Sequence, residues 1–147
     1  MIELHPDFSD FLKLLNSNRV RYLIVGGYAV GYHGYPRATA DLDIWVAVDE
    51  SNAERIASAI REFGFPPDQV SEDFFLKKNQ IIRIGYPPVR IEILTGVSGV
   101  DFEECFQERE TLEISGITIP VISCRMLKIN KKACGRLKDL DDLRHLP

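Results

Sequence analysis

The stretch GGYAVGYHGYPRATADLDIWV, residues 26–46, decides how the chain is read. It sets two adjacent glycines, Arg37, Thr39 and two aspartates one residue apart between hydrophobic runs. Residues i and i+2 of a strand share a face, so Asp41 and Asp43 point together while Leu42 and Ile44 point to the opposite, buried face. Two carboxylates held that close repel each other unless a cation lies between them. An all-oxygen donor set suits Mg2+ or Mn2+ better than zinc. The plainer alternative is a loop aspartate capping a backbone N–H beside an exposed one on a sheet edge.

Working upstream, RVRYLIV (residues 19–25) reads as a strand that runs into Gly26 and Gly27, with YAVGYH a short helix after them. A strand ending in two glycines leaves backbone N–H groups open at a helix N-terminus, where phosphate binds; a tight turn that only glycine fits is the structural alternative. Neither the dinucleotide fingerprint nor the P-loop string is present. Before that strand, Phe8, Phe11, Leu12 and Leu15 share one face at helical spacing, and residues 16–18, NSN, end the helix.

Downstream of the aspartates, SNAE at residues 51–54 has the form of a capping box and opens a helix with Ile56, Ile60 and Phe63 inward and Gly64 closing it. Pro66-Pro67 marks a turn. FFLKK and QIIRIG read as a hairpin around Lys78-Asn79, VRIEIL as a further strand, and DFEECFQER as helical. TLEISGITIPVI reads as a hairpin turning at Ser115-Gly116. The end, from about residue 123 to 147, reads as two helical pieces joined near Gly135, the last with Leu137, Leu140 and Leu143 as its apolar side. Early alternation followed by clustered strands defines an α/β (α+β) class with a mixed β-sheet and helices packed mainly on one face.

The chain has 147 residues, 45% hydrophobic and 27% charged, with a net charge of −4, and this fits a single domain over residues 1–147. The charge argues against a dedicated long-duplex binder, though not against a small anionic substrate carried in with a metal. Three cysteines without CxxC spacing exclude a disulfide scaffold or zinc site. The N-terminus is too polar for a signal peptide and no apolar run reaches membrane length, so a cytoplasmic location with no membrane contact is expected.

Glu92 in RIEIL sits on a strand flanked by Ile91 and Ile93 and shares a face with Arg90. It either pairs with Arg90 or adds a third carboxylate to the aspartate pair, and three such acids hold two metal ions about 3.5–4 Å apart for in-line phosphoryl displacement.

A strand ending in Gly26-Gly27, a short helix, Asp41-x-Asp43 on the next strand and an acid, Glu92, on a later one resemble the nucleotidyltransferase superfamily, whose fold is shared by DNA polymerase β, poly(A) polymerases and antibiotic nucleotidyltransferases. The full stretch from Gly26 resembles the small prokaryotic members, including those related to toxin–antitoxin nucleotidyltransferases, as does a closing helix carrying Lys132, Arg136, Lys138, Asp139 and Asp142. The chain departs from that pattern where Glu92 stands for the commoner Asp and Gly27 for the commoner Ser.

The resemblance implies transfer of an NMP from an NTP to an acceptor, with Asp41, Asp43 and Glu92 catalytic and binding two Mg2+ or Mn2+ ions. Gly26, Gly27, Arg37, Thr39, Lys132 and Arg136 would bind the nucleotide. The acceptor, an RNA end, a protein or a small molecule, is left open, as is a partner protein or homodimer. Two alternatives stand beside this reading: a catalytically inactive nucleotide- or partner-binding module of the antitoxin type, and an enzyme adding nucleotides to tRNA or RNA ends. Outside the resemblance, Arg136 with Asp139 and Lys138 with Asp142 read as surface ion pairs, His33 as a structural or surface histidine, and Tyr28, Tyr32 and Tyr35 as packing residues for one or two of them, with stacking on a base the alternative.

Overall fold

The computed structural model describes residues 4–37, 39, 41–65, 71–86 and 88–147. Helix α1 (Pro6–Ser17) buries Phe8, Phe11, Leu12 and Leu15, as their spacing requires. Strand β1 (Tyr22–Val25) is fully buried and shorter than the expected 19–25, because Arg19 takes a left-handed φ of 58° that ends the preceding turn. Helix α2 (Gly26–Tyr32) starts on Gly26 itself, and β2 (Asp41–Val46) alternates as expected, with Leu42 and Ile44 buried.

Helix α3 (Glu50–Phe63) is capped two residues before Ser51, the first residue of the expected capping box. Asp49 is its cap, its carboxylate accepting from the Asn52 N–H, and Gly64 closes the helix. Pro66 and Pro67 lie outside the described residues.

The expected hairpin around Lys78-Asn79 is not formed. Residues Glu72–Phe75 make a 3-10 turn capped by Ser71 and anchored by buried Phe75. Strand β3 (Ile81–Tyr86) pairs instead with β4 (Val89–Leu94), antiparallel, with Tyr86 opposite Val89. Helix α4 (Phe102–Gln107) leads into β5 (Glu110–Ile114) and β6 (Ile117–Val121), which turn at Ser115-Gly116 with both residues at positive φ, as a tight hairpin demands. Helices α5 (Cys124–Cys134) and α6 (Leu137–His145) join through Gly135, whose left-handed φ of 68° ends α5.

The six strands lie in the order β3-β4-β2-β1-β6-β5 in one mixed sheet, with helices mainly to one side. Parallel pairing of β2 with β4 puts Asp43 beside Glu92 and Asp41 beside Arg90. Antiparallel pairing of β1 with β2 brings Val25, the last residue before the glycines, opposite Asp43. Trp45 continues the face of the two aspartates and is buried edge-on against Phe102 of α4. One end of that face is thus closed by aromatic rings and the other is left to the acids.

Helix α6 departs from its sequence pattern. Leu137 is 87% exposed and Leu140 is exposed as well, while Asp139 and Asp142 are buried. The apolar side expected at Leu137, Leu140 and Leu143 is therefore not what docks the helix. The carboxylates turn inward because cations wait for them.

Asn52 fastens α3 to the sheet: its Oδ1 accepts from the Arg21 N–H at 2.8 Å, and its Nδ2 donates to the Ala47 and Arg21 carbonyls at 2.8 and 3.1 Å. Asn52→Ala strands those backbone groups inside the protein and is expected to cost about 2–4 kcal/mol in urea unfolding. A loss too small to resolve would show that they find other partners.

Candidate active site

Gly26 is at the heart of the site because no other residue fits there. Its φ of 68° is left-handed, and a β-carbon would overlap the Asp43 carboxylate. Gly27 is buried, and a β-carbon on it would meet Thr39 Oγ1 at 2.7 Å. Thr39 in turn donates to the Asp41 carbonyl at 3.3 Å, tying the loop to the start of β2. The two glycines let the turn from β1 into α2 lie flat against the acids and the loop that leads into them.

Asp41, Asp43 and Glu92 open on a single cleft of about 650 Å³, which Gly26, Arg136 and Lys138 also line. Asp41 is held by Arg90, whose Nε and Nη2 donate to its two oxygens at 3.0 and 2.8 Å. Those hydrogen bonds outweigh burial and keep its carboxyl below the usual range. Glu92 meets Arg83 at 3.3 Å and Arg90 at 3.4 Å. Asp43 has no such help. Burial, then the charges of Glu92 and Asp41, push its pKa up to about 7, against a smaller pull from Lys138. Its Oδ1 is buried with no hydrogen-bond partner.

Among the described residues, no group of three or more His, Cys, Asp or Glu side chains is arranged to hold a metal ion. In this arrangement the Arg90 guanidinium donates to both oxygens of Asp41. The donor chemistry nevertheless fits a divalent cation. Three carboxylates face one cleft, and the central one carries an orphaned oxygen and an unfavourable charge that a cation would relieve.

Of the other expected nucleotide contacts, Arg136 lines the cleft, while Arg37, Thr39 and Lys132 do not. Arg37 is not among the residues lining the cleft; its Nε and Nη2 donate to Asp142 at 2.8 and 2.9 Å. Lys132 is exposed on α5 outside the cleft, while its neighbour Lys131 lines it. Lys131 is buried and bridges Asp139 at 3.1 Å and Asp142 at 3.0 Å. Arg136 lines the cleft and binds Asp139 at 2.7 Å. The expected Lys138–Asp142 pair is not formed, since Arg37 and Lys131 occupy Asp142. Burial alone would raise the Asp139 and Asp142 carboxyls, and the hydrogen bonds from these cations bring both below the usual range.

Arg83, Arg90, Lys131 and Lys138 were missed as cleft residues by the sequence reading. Arg90 was legible by alternation with Glu92, but Arg83 needed the β3–β4 register. His33 is structural, its Nε2 hydrogen-bonded to the Ile122 carbonyl at 2.7 Å. Tyr35 stacks on His145 and donates to Asp141, and so helps hold α6.

A short helix entered through two glycines and an acid face shared by two parallel strands define a nucleotidyltransferase fold. A putative nucleotidyltransferase from Thermotoga maritima has the same fold, with a TM-score of 0.59 and 18% identity over 97% of this chain and 93% of that one. So does an antigenic nucleotidyltransferase-like protein from Paracoccidioides brasiliensis, with a TM-score of 0.55 and 19% identity over 95% of this chain and 72% of that one. Comparison with curated proteins gives no match. The aminoglycoside-2''-adenylyltransferase family matches residues 8–145, and the chain belongs to it.

Two outcomes test the charges described here. The folded protein keeps Asp43 protonated to higher pH than the unfolded chain does, so ionising it costs stability: nothing below the ordinary value of 3.8, progressively more above it, and the full cost above about 7. Without divalent cations, Asp43→Asn should raise the thermal midpoint at pH 8, and the gain should fade as the pH drops towards about 4. A pH-independent difference would contradict this. Lys131→Met should cost about 2–4 kcal/mol because two buried carboxylates lose a shared partner, whereas Lys132→Met should be close to neutral; equal costs in denaturant would remove the distinction.

Proposed function

We propose that this chain is a metal-dependent nucleotidyltransferase that moves an NMP from an NTP to an acceptor and releases pyrophosphate. The observation carrying this reading is the acid cluster: Asp43, with its orphaned buried oxygen, between Asp41 and Glu92 on one open cleft. Asp41, Asp43 and Glu92 would hold the divalent ions, two on this reading. Bound there, such ions would neutralise the acids and supply charge stabilisation to the α-phosphate and the leaving oxygen.

The remaining roles belong to the protein. Gly26 lines the cleft and, having no side chain, lets the α2 entrance pack directly against Asp43, while buried Gly27 lets Thr39 close in behind it; on this reading the phosphates would lie along the Gly26 side of that entrance. Lys138 lines the cleft without an ion-pair partner among the described residues, and is the side chain best placed to take a terminal phosphate. Arg136 shares the rim. Arg37 and Thr39 act by fixing the loop and β2 rather than by touching phosphate.

In the reaction a bond forms between an acceptor oxygen and the α-phosphorus, the α–β bridging bond breaks, and pyrophosphate departs with that bridging oxygen. No separate general base stands out, and Glu92, beside Asp43 on the neighbouring strand, or a hydroxide held by the cation would take the acceptor's proton. The family's name points to ATP as donor and an aminoglycoside 2''-hydroxyl as acceptor, and that pair is the first to test. No helix among the described residues is long and apolar enough to cross a membrane, in keeping with an enzyme acting on soluble nucleotides in the cytoplasm.

One observation favours a second reading: Arg90 already neutralises Asp41, which a catalytically inactive, antitoxin-like binding module would tolerate. Incubation with each α-labelled NTP, Mg2+ or Mn2+, and aminoglycoside, RNA or protein acceptors separates the two. The enzyme transfers label and releases pyrophosphate, and Asp43→Asn lowers transfer at least about 100-fold with the fold intact. Nucleotide binding without pyrophosphate release from any pair would favour the inactive module.

A further inference from the structure

Arg90 is built into the acid cluster. It lies two residues before Glu92 on β4 and directly beside Asp41 in the parallel register. One guanidinium satisfies both Asp41 oxygens, and its Nη2 also stands 3.4 Å from Glu92 Oε1. Arg83, reaching over from β3, touches that same Glu92 oxygen at 3.3 Å. Asp43, on the same face of β2, is left with an unpartnered buried oxygen.

This arrangement is asymmetric in a way that matters for loading. A divalent ion held by Asp41 and Asp43 would need an Asp41 oxygen, and a planar fork already donates to both, setting a positive charge beside the place the ion would take. While the guanidinium stays it opposes the ion by its charge, and it cannot shed that charge by losing its proton, since arginine stays charged at any working pH. It needs another anion. Its side chain is 30% exposed and lines the cleft, so a polyphosphate entering there would offer one within reach.

We propose that Arg90 is an internal counter-ion that closes the divalent-cation site of the nucleotide-free protein and passes to the polyphosphate when nucleotide and cation enter together. The proposal rests on the nucleotidyltransferase reading of this cleft. Cation and nucleotide then favour each other's binding by one and the same factor, because each removes the obstacle to the other.

Mn2+ titration of the full chain, with free ion followed by electron paramagnetic resonance, tests this without turnover. An opposite charge in contact with a carboxylate shifts its chemistry by one to three decades. Without nucleotide, Arg90→Met should therefore bind Mn2+ at least about tenfold more tightly than the wild type. Arg90→Lys, which keeps a charge but loses the fork, should fall between and gives the answer if the Met variant does not fold. Adding Asp43→Asn should abolish the gain, placing the ion at these acids. With α,β-methylene NTPs the wild type should gain Mn2+ affinity and the Arg90→Met variant much less.

Equal Mn2+ affinity for wild type and both Arg90 variants, with nucleotide-dependent binding intact, overturns the counter-ion role and leaves the enzyme reading standing. Absence of Mn2+ binding in every protein, even with the four nucleotide analogues, removes both. A gain that survives Asp43→Asn also overturns the proposal, since the ion then sits elsewhere.

Discussion

Ionised carboxylates crowded onto one strand face repel each other, and every feature around the cleft answers that repulsion. Parallel pairing of β2 with β4 brings Glu92 beside Asp43 and so aggravates the crowding. The same pairing sets Arg90 beside Asp41, and the neighbouring β3 supplies Arg83 to Glu92. Two acids are thereby compensated from within the sheet. Asp43 alone is left facing burial and two like charges, with its pKa pushed up to about 7. A protein seldom keeps such a group for stability, and perturbed acids of this kind concentrate where ligands are handled.

The same electrostatic rule explains how the C-terminal helix is attached. Helix α6 turns Asp139 and Asp142 inward and leaves Leu137 and Leu140 in solvent. Lys131 from α5, Arg37 from the loop before β2, and Arg136 at the start of α6 itself receive the two carboxylates. Removing one partner from a buried set of this kind is costly even where the set as a whole adds little stability. Its value lies in placement: it binds the loop that carries Thr39 to the helices that carry Arg136 and Lys138. The acid cleft thus has one wall set by strand register and another set by ion pairs.

Much of this was legible in the sequence, and the failures have physical causes. The Asp41-x-Asp43 alternation, the α1 face, the hairpin at Ser115-Gly116 and the break at Gly135 each follow from local periodicity or backbone chirality, and the structure has them all. Strand pairing is not local. The segment 74–78 was read as a strand for its aromatics, but Ser71 caps a turn there and Phe75 is used as a core anchor. On α6, hydrophobic spacing misled because partners far away in sequence reward burying acid instead. The resemblance assigns Arg37 to the nucleotide; what no local pattern shows is the Asp142 carboxylate it pairs with, 105 residues later. The adjacent lysines 131 and 132 were indistinguishable on paper; only the packing of α5 turns one inward.

The reach of that last contact has a consequence in time. The loop ahead of β2 is fastened by a residue 105 positions later in the chain, with Arg37 waiting for Asp142. During synthesis the glycines, the aspartates and Glu92 all leave the ribosome before the segment that locks them. The contacts that fix this wall of the cleft therefore cannot form until α6 has been made.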